Sequence, residues 1–146
     1  MLIRSKNKNE KIVLGLLSYT YDDNVKSEVL KELLETYRND DKREIYLYKD
    51  EASGNYVGVM AVEHNQSSVT KNEEELSIHD NIMIQRVAVI PSFRNEGIGY
   101  GLYSDLRELY PDATIIGTTT NETVDLVSKW AQQYNDEHEN DKFKRG

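Results

Sequence analysis

Apolar positions recur along the chain at two spacings, one typical of strands and one typical of helices. Met1 to Arg4 is a short apolar segment, and after a polar break Ile12 to Leu17 carries apolar residues at helical spacing. Asp22 to Asn24 then offers N-cap side chains to a second helix, in which an apolar residue recurs every four positions from Val25 to Tyr37. We therefore predict one strand followed by two helices.

The middle of the chain has the spacing of strands. Glu44 to Lys49 and Tyr56 to Glu63 are rich in aromatic and branched residues and lie close enough in sequence to form an antiparallel hairpin. His64 to Asp80 is polar, and we interpret it as an acidic loop. Ile82 to Ile90 is the most apolar segment, and Pro91 ends it, which indicates a buried central strand.

The carboxyl-terminal part alternates again between helix and strand. A helical pattern runs from Gly97 to Pro111, a β-branched strand from Ala113 to Thr120, and a last helix from Val124 to Tyr134. We expect residues 136–146 to be a loose polar tail. Residues 1–146 then form a single domain with the element order β-α-α-β-β-β-α-β-α.

Composition and charge exclude several classes of function. The 146 residues include 18 Lys plus Arg against 26 Asp plus Glu, so the formal charge is −8, which argues against nucleic acids and anionic membranes as partners. There are no cysteines, which excludes disulfides and a covalent cysteine intermediate. The three histidines lack the spacing of metal ligands, so no metal is expected. No secretory signal or membrane span is apparent, and we expect a cytoplasmic protein.

The segment from Gln85 to Gly101 has the residues of a phosphate-binding turn. A buried strand runs into a short turn that contains Arg94, and a helix begins inside that turn, so backbone N–H groups and the positive end of the helix dipole meet there. Gly97 would let a ligand approach the backbone, and Gly99 would permit close packing of the helix on the sheet. The alternative is a purely structural turn.

Two of three phosphate-binding templates fail on spacing. A Walker loop needs Lys and then Ser or Thr after the glycine, whereas Tyr100 follows Gly99, and a dinucleotide fingerprint would need a small residue in place of Leu102. The third template, Arg-x-x-Gly-x-Gly after a strand that ends Val-x-Val-x-Pro, resembles the acetyl-CoA-binding signature of the GNAT superfamily of acyl-CoA N-acyltransferases. The element order over nearly the whole chain is similar to theirs.

The resemblance implies an α/β (α+β) fold, with a central, mixed but mostly antiparallel sheet flanked by helices. The last two strands usual in the family have no counterpart here, which leaves a sheet edge that a second copy of the chain could cover. It also implies acetyl-CoA as co-substrate, bound where the fourth strand diverges from the fifth. The implied cofactor-binding residues are Val87, Ala88, Val89, Arg94, Asn95, Glu96, Gly97, Ile98, Gly99 and Asn121, the last of which is equally suited to cap a helix.

The catalytic groups depart from the family pattern. Many members place a glutamate base on strand four, where this chain has Met83 and Gln85. A base would have to come from elsewhere, and the candidates are Glu63, His64, His79 and Asp80, or a water molecule. The family's tyrosine acid commonly lies seven residues after an asparagine that matches Asn121, but that position is Ser128. Tyr134 and Tyr103 are the remaining candidates for the acid.

Two functions are compatible with these residues. The first is an N-acetyltransferase that moves an acetyl group from acetyl-CoA to an amine of a small molecule or peptide by direct attack. The second is a catalytically quiet CoA-binding or protein-interaction module on the same fold. A narrower resemblance, from the segments Met1 to Arg4 and Glu10 to Ser18, is to the small acetyltransferase-like proteins of bacterial riboflavin operons, which implies a link to flavin metabolism.

Overall fold

A computed structural model describes residues 2–5, 9–21, 24–72, 75–118 and 121–144. The described residues form five strands and four helices in the predicted order. These elements are β1 (Leu2–Ser5), α1 (Glu10–Ser18), α2 (Ser27–Arg38), β2 (Arg43–Lys49), β3 (Tyr56–Asn72), β4 (Glu75–Val89), α3 (Ile98–Leu109), β5 (Thr114–Gly117) and α4 (Asn121–Lys144). A 3₁₀ turn, Pro91–Phe93, connects β4 to the loop before α3.

The strands form one sheet in the order β1-β2-β3-β4-β5. Neighbouring strands are antiparallel except β4 and β5, which are parallel. The predicted α+β class and mixed, mostly antiparallel sheet are therefore confirmed. Among the described residues no further strand follows β5, because the chain continues as α4.

The predicted start of the second helix was wrong. α2 begins at Ser27, and the residue before it, Lys26, has extended backbone and makes no side-chain cap hydrogen bond. Asn24 therefore does not cap the helix. Asp22 and Asp23 lie outside the described residues. The buried stripe is Leu30, Leu34 and Tyr37, whereas Val29 is exposed. A four-residue repeat drifts around a helix of 3.6 residues per turn, so the pattern marked the wrong side of the first turn.

The predicted acidic loop from His64 to Asp80 was also wrong. β3 and β4 extend through it as a hairpin, with pairs that continue from Glu63↔Met83 to Thr70↔Leu76. Glu73 and Glu74 lie outside the described residues. Leu76 and Ile78 alternate with Ser77 and His79, but this strand signal is short and lies in an otherwise polar segment, so it was overlooked. Backbone hydrogen bonds hold the antiparallel pair together even where the side chains are polar.

The predicted loose tail, residues 136–146, was wrong as far as the structure describes it, because α4 continues to Lys144. Side chains one turn apart support this part of the helix: Gln132 Nε2 donates to Asp136 (2.9 Å) and Gln133 Nε2 to Glu137 (3.2 Å). The Tyr100 hydroxyl of α3 also donates to Glu137, at 2.6 Å. A polar helix stabilised by such pairs carries no apolar stripe for sequence reasoning to find.

The two faces of the sheet carry two separate apolar cores. Helices α1 and α2 cover one face, where Leu17, Leu34, Leu47 and Val59 pack together. Helices α3 and α4 cover the other face, whose buried residues are Tyr46, Met60, Val62, Ile82, Ile84, Leu102, Tyr103, Leu106, Val127 and Trp130. The sheet therefore presents a rigid platform with helices packed on both sides.

β4 contains one extra residue where it diverges from β5. On its β3 side, Ala61 pairs with Arg86 and Val62 with Ile84, so Gln85 is inserted as a β-bulge. On its β5 side, pairing ends at Ile84↔Gly117, with a final hydrogen bond from Thr118 N to Ile84 O (3.0 Å). Bulges increase the local twist of a strand. The bulge therefore turns the rest of β4 away from β5 and opens a gap between them.

Close packing of α3 on α4 depends on Gly99. A Cβ at this position would lie 2.8 Å from Trp130 Cζ2, and the Trp130 ring is itself buried. The predicted close contact of Gly99 with the sheet is therefore a contact with a helix.

We expect Gly99→Ala to destabilise the protein by about 1–3 kcal/mol, measured by urea unfolding. Gly15→Ala is the control: Gly15 lies in α1 with no atom near its Cβ position, so this change should stabilise by about 0.5–1 kcal/mol. Equal effects would contradict the packing argument.

Candidate functional site

The gap beside β4 is one end of a cleft of about 560 Å³. Four parts of the chain line it: the end of α1, the last residues of β4 with the following turn, the start of α3, and one side of α4. The lining residues are Tyr19, Val87, Ala88, Val89, Phe93, Arg94, Asn95, Gly97, Ile98, Gly99, Tyr100, Leu126, Trp130 and Gln133.

The β4 wall of the cleft is an open strand edge. Ile90 N donates to Val57 O (2.9 Å), so the pair Ile90/Val57 is hydrogen-bonded across β3 and β4. Hydrogen-bonded and non-hydrogen-bonded pairs alternate along an antiparallel ladder. The pairs Val89/Gly58 and Val87/Met60 are therefore not hydrogen-bonded, and the N–H and C=O groups of Val87 and Val89 point away from β3. β5 no longer pairs with β4 here, so these groups face the cleft.

The start of α3 forms the polar end of the cleft. Gly97 precedes the helix with φ +77°, and no side chain caps the helix. The first hydrogen bond within α3 runs from Gly101 N to Gly97 O (2.9 Å), so the N–H groups of Ile98 to Tyr100 have no partner in the helix. A Cβ built at Gly97 meets no atom within 4 Å. Free donors, the helix dipole and open space together make an anion-binding cradle.

Arg94 adds a positive charge beside this cradle. Its Nε donates to Val89 O at 3.1 Å, which ties the turn to the end of β4. Among the described residues Arg94 forms no ion pair, so no described carboxylate neutralises its charge. In a chain of net charge −8, this local positive potential is what an anionic ligand requires.

The opposite wall is apolar and comes from α4. Leu126, Trp130 and Gln133 are spaced i, i+4 and i+7 and line the cleft together. Sequence reasoning missed them because it followed the stripe Val124 to Tyr134, in which Val124 is in fact exposed. The helical spacing of these three residues was the available signal. Tyr19, Phe93 and Tyr100 were also missed, and no motif marks them.

The structure brings together eight of the ten predicted cofactor residues in this cleft: Val87, Ala88, Val89, Arg94, Asn95, Gly97, Ile98 and Gly99. Glu96 lies in the same turn but is exposed and does not line the cleft. Asn121 is the first residue of α4, and its side chain lies outside the described residues.

The two predicted catalytic tyrosines do not line the cleft. Tyr103 is only 1% exposed, and its hydroxyl accepts a hydrogen bond from Arg107 (3.2 Å). Tyr134 is half-buried, with its ring stacked on His138 and the Arg107 guanidinium 4.1 Å from its centroid. Tyr100 does line the cleft, but burial and its hydrogen bond to Glu137 raise the pKa of its phenol. Tyr100 therefore holds its proton firmly.

The base candidates lie in three different environments. Glu63 accepts hydrogen bonds from Gln85 Nε2 (3.0 Å) and Asn65 Nδ2 (3.1 Å) and pairs with Arg43 (3.2 Å). His64 Nδ1 lies 3.2 Å from Asp80 Oδ2, and its ring contacts Tyr110, which follows α3. His79 Nε2 lies 2.6 Å from the Thr114 hydroxyl of β5. None of the four lines the cleft.

Among the described residues, no group of three or more His, Cys, Asp or Glu side chains is arranged to hold a metal ion. Likewise, no described helix has the length and apolar character that crossing a membrane requires.

Comparison with known proteins gives the family. No family model matches the chain. An uncharacterized N-acetyltransferase of Bacillus methanolicus, encoded in the lysA 3′ region, is 33% identical over 116 residues, which cover 80% of this chain and 84% of that protein. A GNAT family acetyltransferase of Staphylococcus aureus has a similar fold, with a TM-score of 0.61 at 19% identity over 84% of this chain and 88% of that one. Aminoglycoside acetyltransferase AAC(6′)-Iy, solved with a bisubstrate analogue containing CoA, has a TM-score of 0.63 at 13% identity over 92% of this chain and 87% of that one. The chain belongs to the GNAT superfamily of N-acetyltransferases.

Proposed function

We propose that this protein binds acetyl-CoA in the cleft beside β4 and transfers the acetyl group to a primary amine of a small molecule or peptide. The observation that carries the proposal is the juxtaposition of an open β4 edge with an uncapped helix N-terminus. An extended ligand with anionic phosphates at one end and an amide-rich arm at the other would satisfy both.

Each part of the cleft suits one part of acetyl-CoA. The N–H groups of Ile98 to Tyr100 and the Arg94 guanidinium would hold the pyrophosphate. The open-edge N–H and C=O groups of Val87 and the N–H of Val89 would hydrogen-bond the pantetheine amides, and Trp130 would cover the apolar methylenes of that arm. Glu96 and Asn121 stay predictions as further contacts.

The chain's own groups can serve the acyl transfer. Acetyl-CoA supplies a thioester, whose carbonyl is the electrophile and whose thiolate is the leaving group. The amine forms the new C–N bond as the C–S bond breaks, and a backbone N–H of the open β4 edge stabilises the negative charge that develops on the carbonyl oxygen. Glu63 does not line the cleft, and its carboxylate already accepts hydrogen bonds from Asn65 and Gln85 and pairs with Arg43, so the amine loses its proton to water.

Tyr134 remains our proposed proton donor to the departing thiolate: it lies one helical turn after the cleft-lining Trp130 and, unlike the buried Tyr103, is half-buried, although it does not itself line the cleft. We expect Tyr134→Phe to lower kcat by about 10²-fold or more with little change in acetyl-CoA affinity. Tyr103→Phe is the control. It removes a hydroxyl that accepts a hydrogen bond from Arg107 and is buried in the core, so it should leave kcat nearly unchanged. Equal kcat values for both variants and the parent would contradict this role.

The anion cradle generates a binding prediction. Gly97→Glu places a carboxylate where phosphates would bind, so acetyl-CoA affinity should fall at least about 100-fold. Gly54→Glu is a matched control, since Gly54 has nearly the same backbone (φ +75° against +77°), has open space at its Cβ position and lies in the β2–β3 turn. The sole tryptophan of the chain, Trp130, lines the cleft, so its fluorescence reports binding. Similar loss of affinity in both variants would mean that the cradle is not the site.

The activity itself is tested by release of CoA thiol from acetyl-CoA across a panel of primary amines. We expect amine-dependent release above the hydrolysis seen without amine. Its absence, with acetyl-CoA binding intact, would establish the second candidate, a catalytically quiet CoA-binding module. That candidate is favoured by the position of Tyr103 and Tyr134 outside the cleft lining.

Two finer predictions accompany the proposal. The link to flavin metabolism stays a prediction from the resemblance to riboflavin-operon proteins. A homodimer that covers the outer edge of β5 stays a prediction from the sheet order, in which β5 pairs only with β4 among the described strands.

A further inference from the structure

We propose that the acceptor amine also carries a carboxylate, which binds the guanidinium of Arg86. This inference rests on the proposed function and names its substrate class: free amino acids or peptides with a free carboxyl terminus.

The reacting end of the cleft lies near the β4 bulge. The anion cradle is at Gly97, and the open β4 edge runs from Val89 back to Val87. β5 rejoins β4 at Ile84, which closes that end. A ligand with its phosphates at the cradle and its arm along β4 would therefore end beside Gln85 and Arg86, and an acceptor must reach this point.

Arg86 is held in place on the α1 and α2 side of the sheet. Its Nη1 donates to the Thr20 hydroxyl (3.2 Å), and its guanidinium lies 4.4 Å from the centroid of the Tyr21 ring. Tyr19, next to these residues, lines the cleft. The half-buried Arg86 is thus fixed by neutral groups at the edge of the cleft. Because the guanidinium is already held in place, little additional conformational entropy is lost when an anion binds to it.

The positive charge of Arg86 has no acidic partner within the described part of the chain. Three other arginines form ion pairs there. Arg4 pairs with Glu44, Arg38 with Glu10 and Glu35, and Arg43 with Asp40 and Glu63. No such pair involves Arg86, although the chain has 26 acidic residues.

The surroundings of Arg86 favour a single carboxylate over a more highly charged group. Tyr37 lies close by, and its hydroxyl donates to Gln85 Oε1. Burial raises the pKa of Tyr37 to about 12, against the opposing effect of Arg43 and Arg86, so Tyr37 is a neutral hydrogen-bonding group. Arg43 is already paired with Glu63. One guanidinium without an acidic partner among the described residues matches one planar carboxylate, whereas a phosphate dianion would need further positive charge.

The experiment compares matched acceptors. Six dipeptides with side chains of different size are prepared as free acids and as carboxyl-terminal amides, so that the reacting amine is remote from the group that changes. For the parent protein we expect kcat/KM, followed by thiol release, to be at least about tenfold higher for the free acids. In Arg86→Gln the ratio of kcat/KM for acid over amide should fall to about one, and Arg86→Lys should restore part of it. Lys129→Gln, which removes an exposed charge on α4, is the control and should leave the ratio unchanged.

The same pairs are titrated by calorimetry into the protein saturated with CoA, which separates the two proposals. Absence of thiol release together with preferential, Arg86-dependent binding of free acids would refute the acyl transfer and support the carboxylate site. Thiol release with equal kcat/KM for acids and amides would support the transfer and overturn the role of Arg86. Equal binding of acids and amides without turnover would overturn both.

Discussion

The functional cleft depends on one extra residue in a strand. Gln85 is inserted into β4 opposite the step from Ala61 to Val62, and pairing with β5 ends at the residue before it, Ile84. Without that insertion the two parallel strands could continue side by side, and the N–H and C=O groups of Val87 and Val89 would be satisfied within the sheet. The bulge therefore converts part of a buried strand into a binding edge. The side chain of Gln85 forms hydrogen bonds with Tyr37 and Glu63.

Local electrostatics then overcome an unfavourable net charge. A protein of charge −8 repels polyanions at long range, so a site for a phosphorylated ligand needs concentrated positive potential. The start of α3, which no side chain caps, and Arg94, which has no ion pair in the described part of the chain, provide it at one end of the cleft. Arg86 provides a second positive group near the other end. Between them lie the open strand edge and Trp130, which suit the less polar middle of an extended ligand.

Sequence reasoning was most informative where a pattern acts locally. The family resemblance and the glycine and arginine turn together indicated Val87 to Val89 and Arg94 to Gly99, and all of these residues except Glu96 line one cleft; their role in binding acetyl-CoA stays a prediction. Sequence reasoning failed where tertiary contacts decide. No pattern indicates that α4 places Trp130 over Gly99 or that Tyr103 is buried. The alternation of Leu76 and Ile78 with polar residues is too short to show that the hairpin continues through His64 to Asp80. The bulge at Gln85 is also invisible in sequence, since it is defined only by the register of β3 against β4.

The central claim is that the β4 edge and the start of α3 form one binding surface for acetyl-CoA. Residue-resolved amide hydrogen exchange with and without acetyl-CoA tests it most directly. Val87 and Val89 should exchange rapidly in the free protein and become protected on binding, together with Ile98 to Tyr100. Ala88, which opposes Val59 in the hydrogen-bonded part of the ladder, should be protected throughout. Protection of Val87 and Val89 in the free protein, or no change at these amides on binding, would contradict the account.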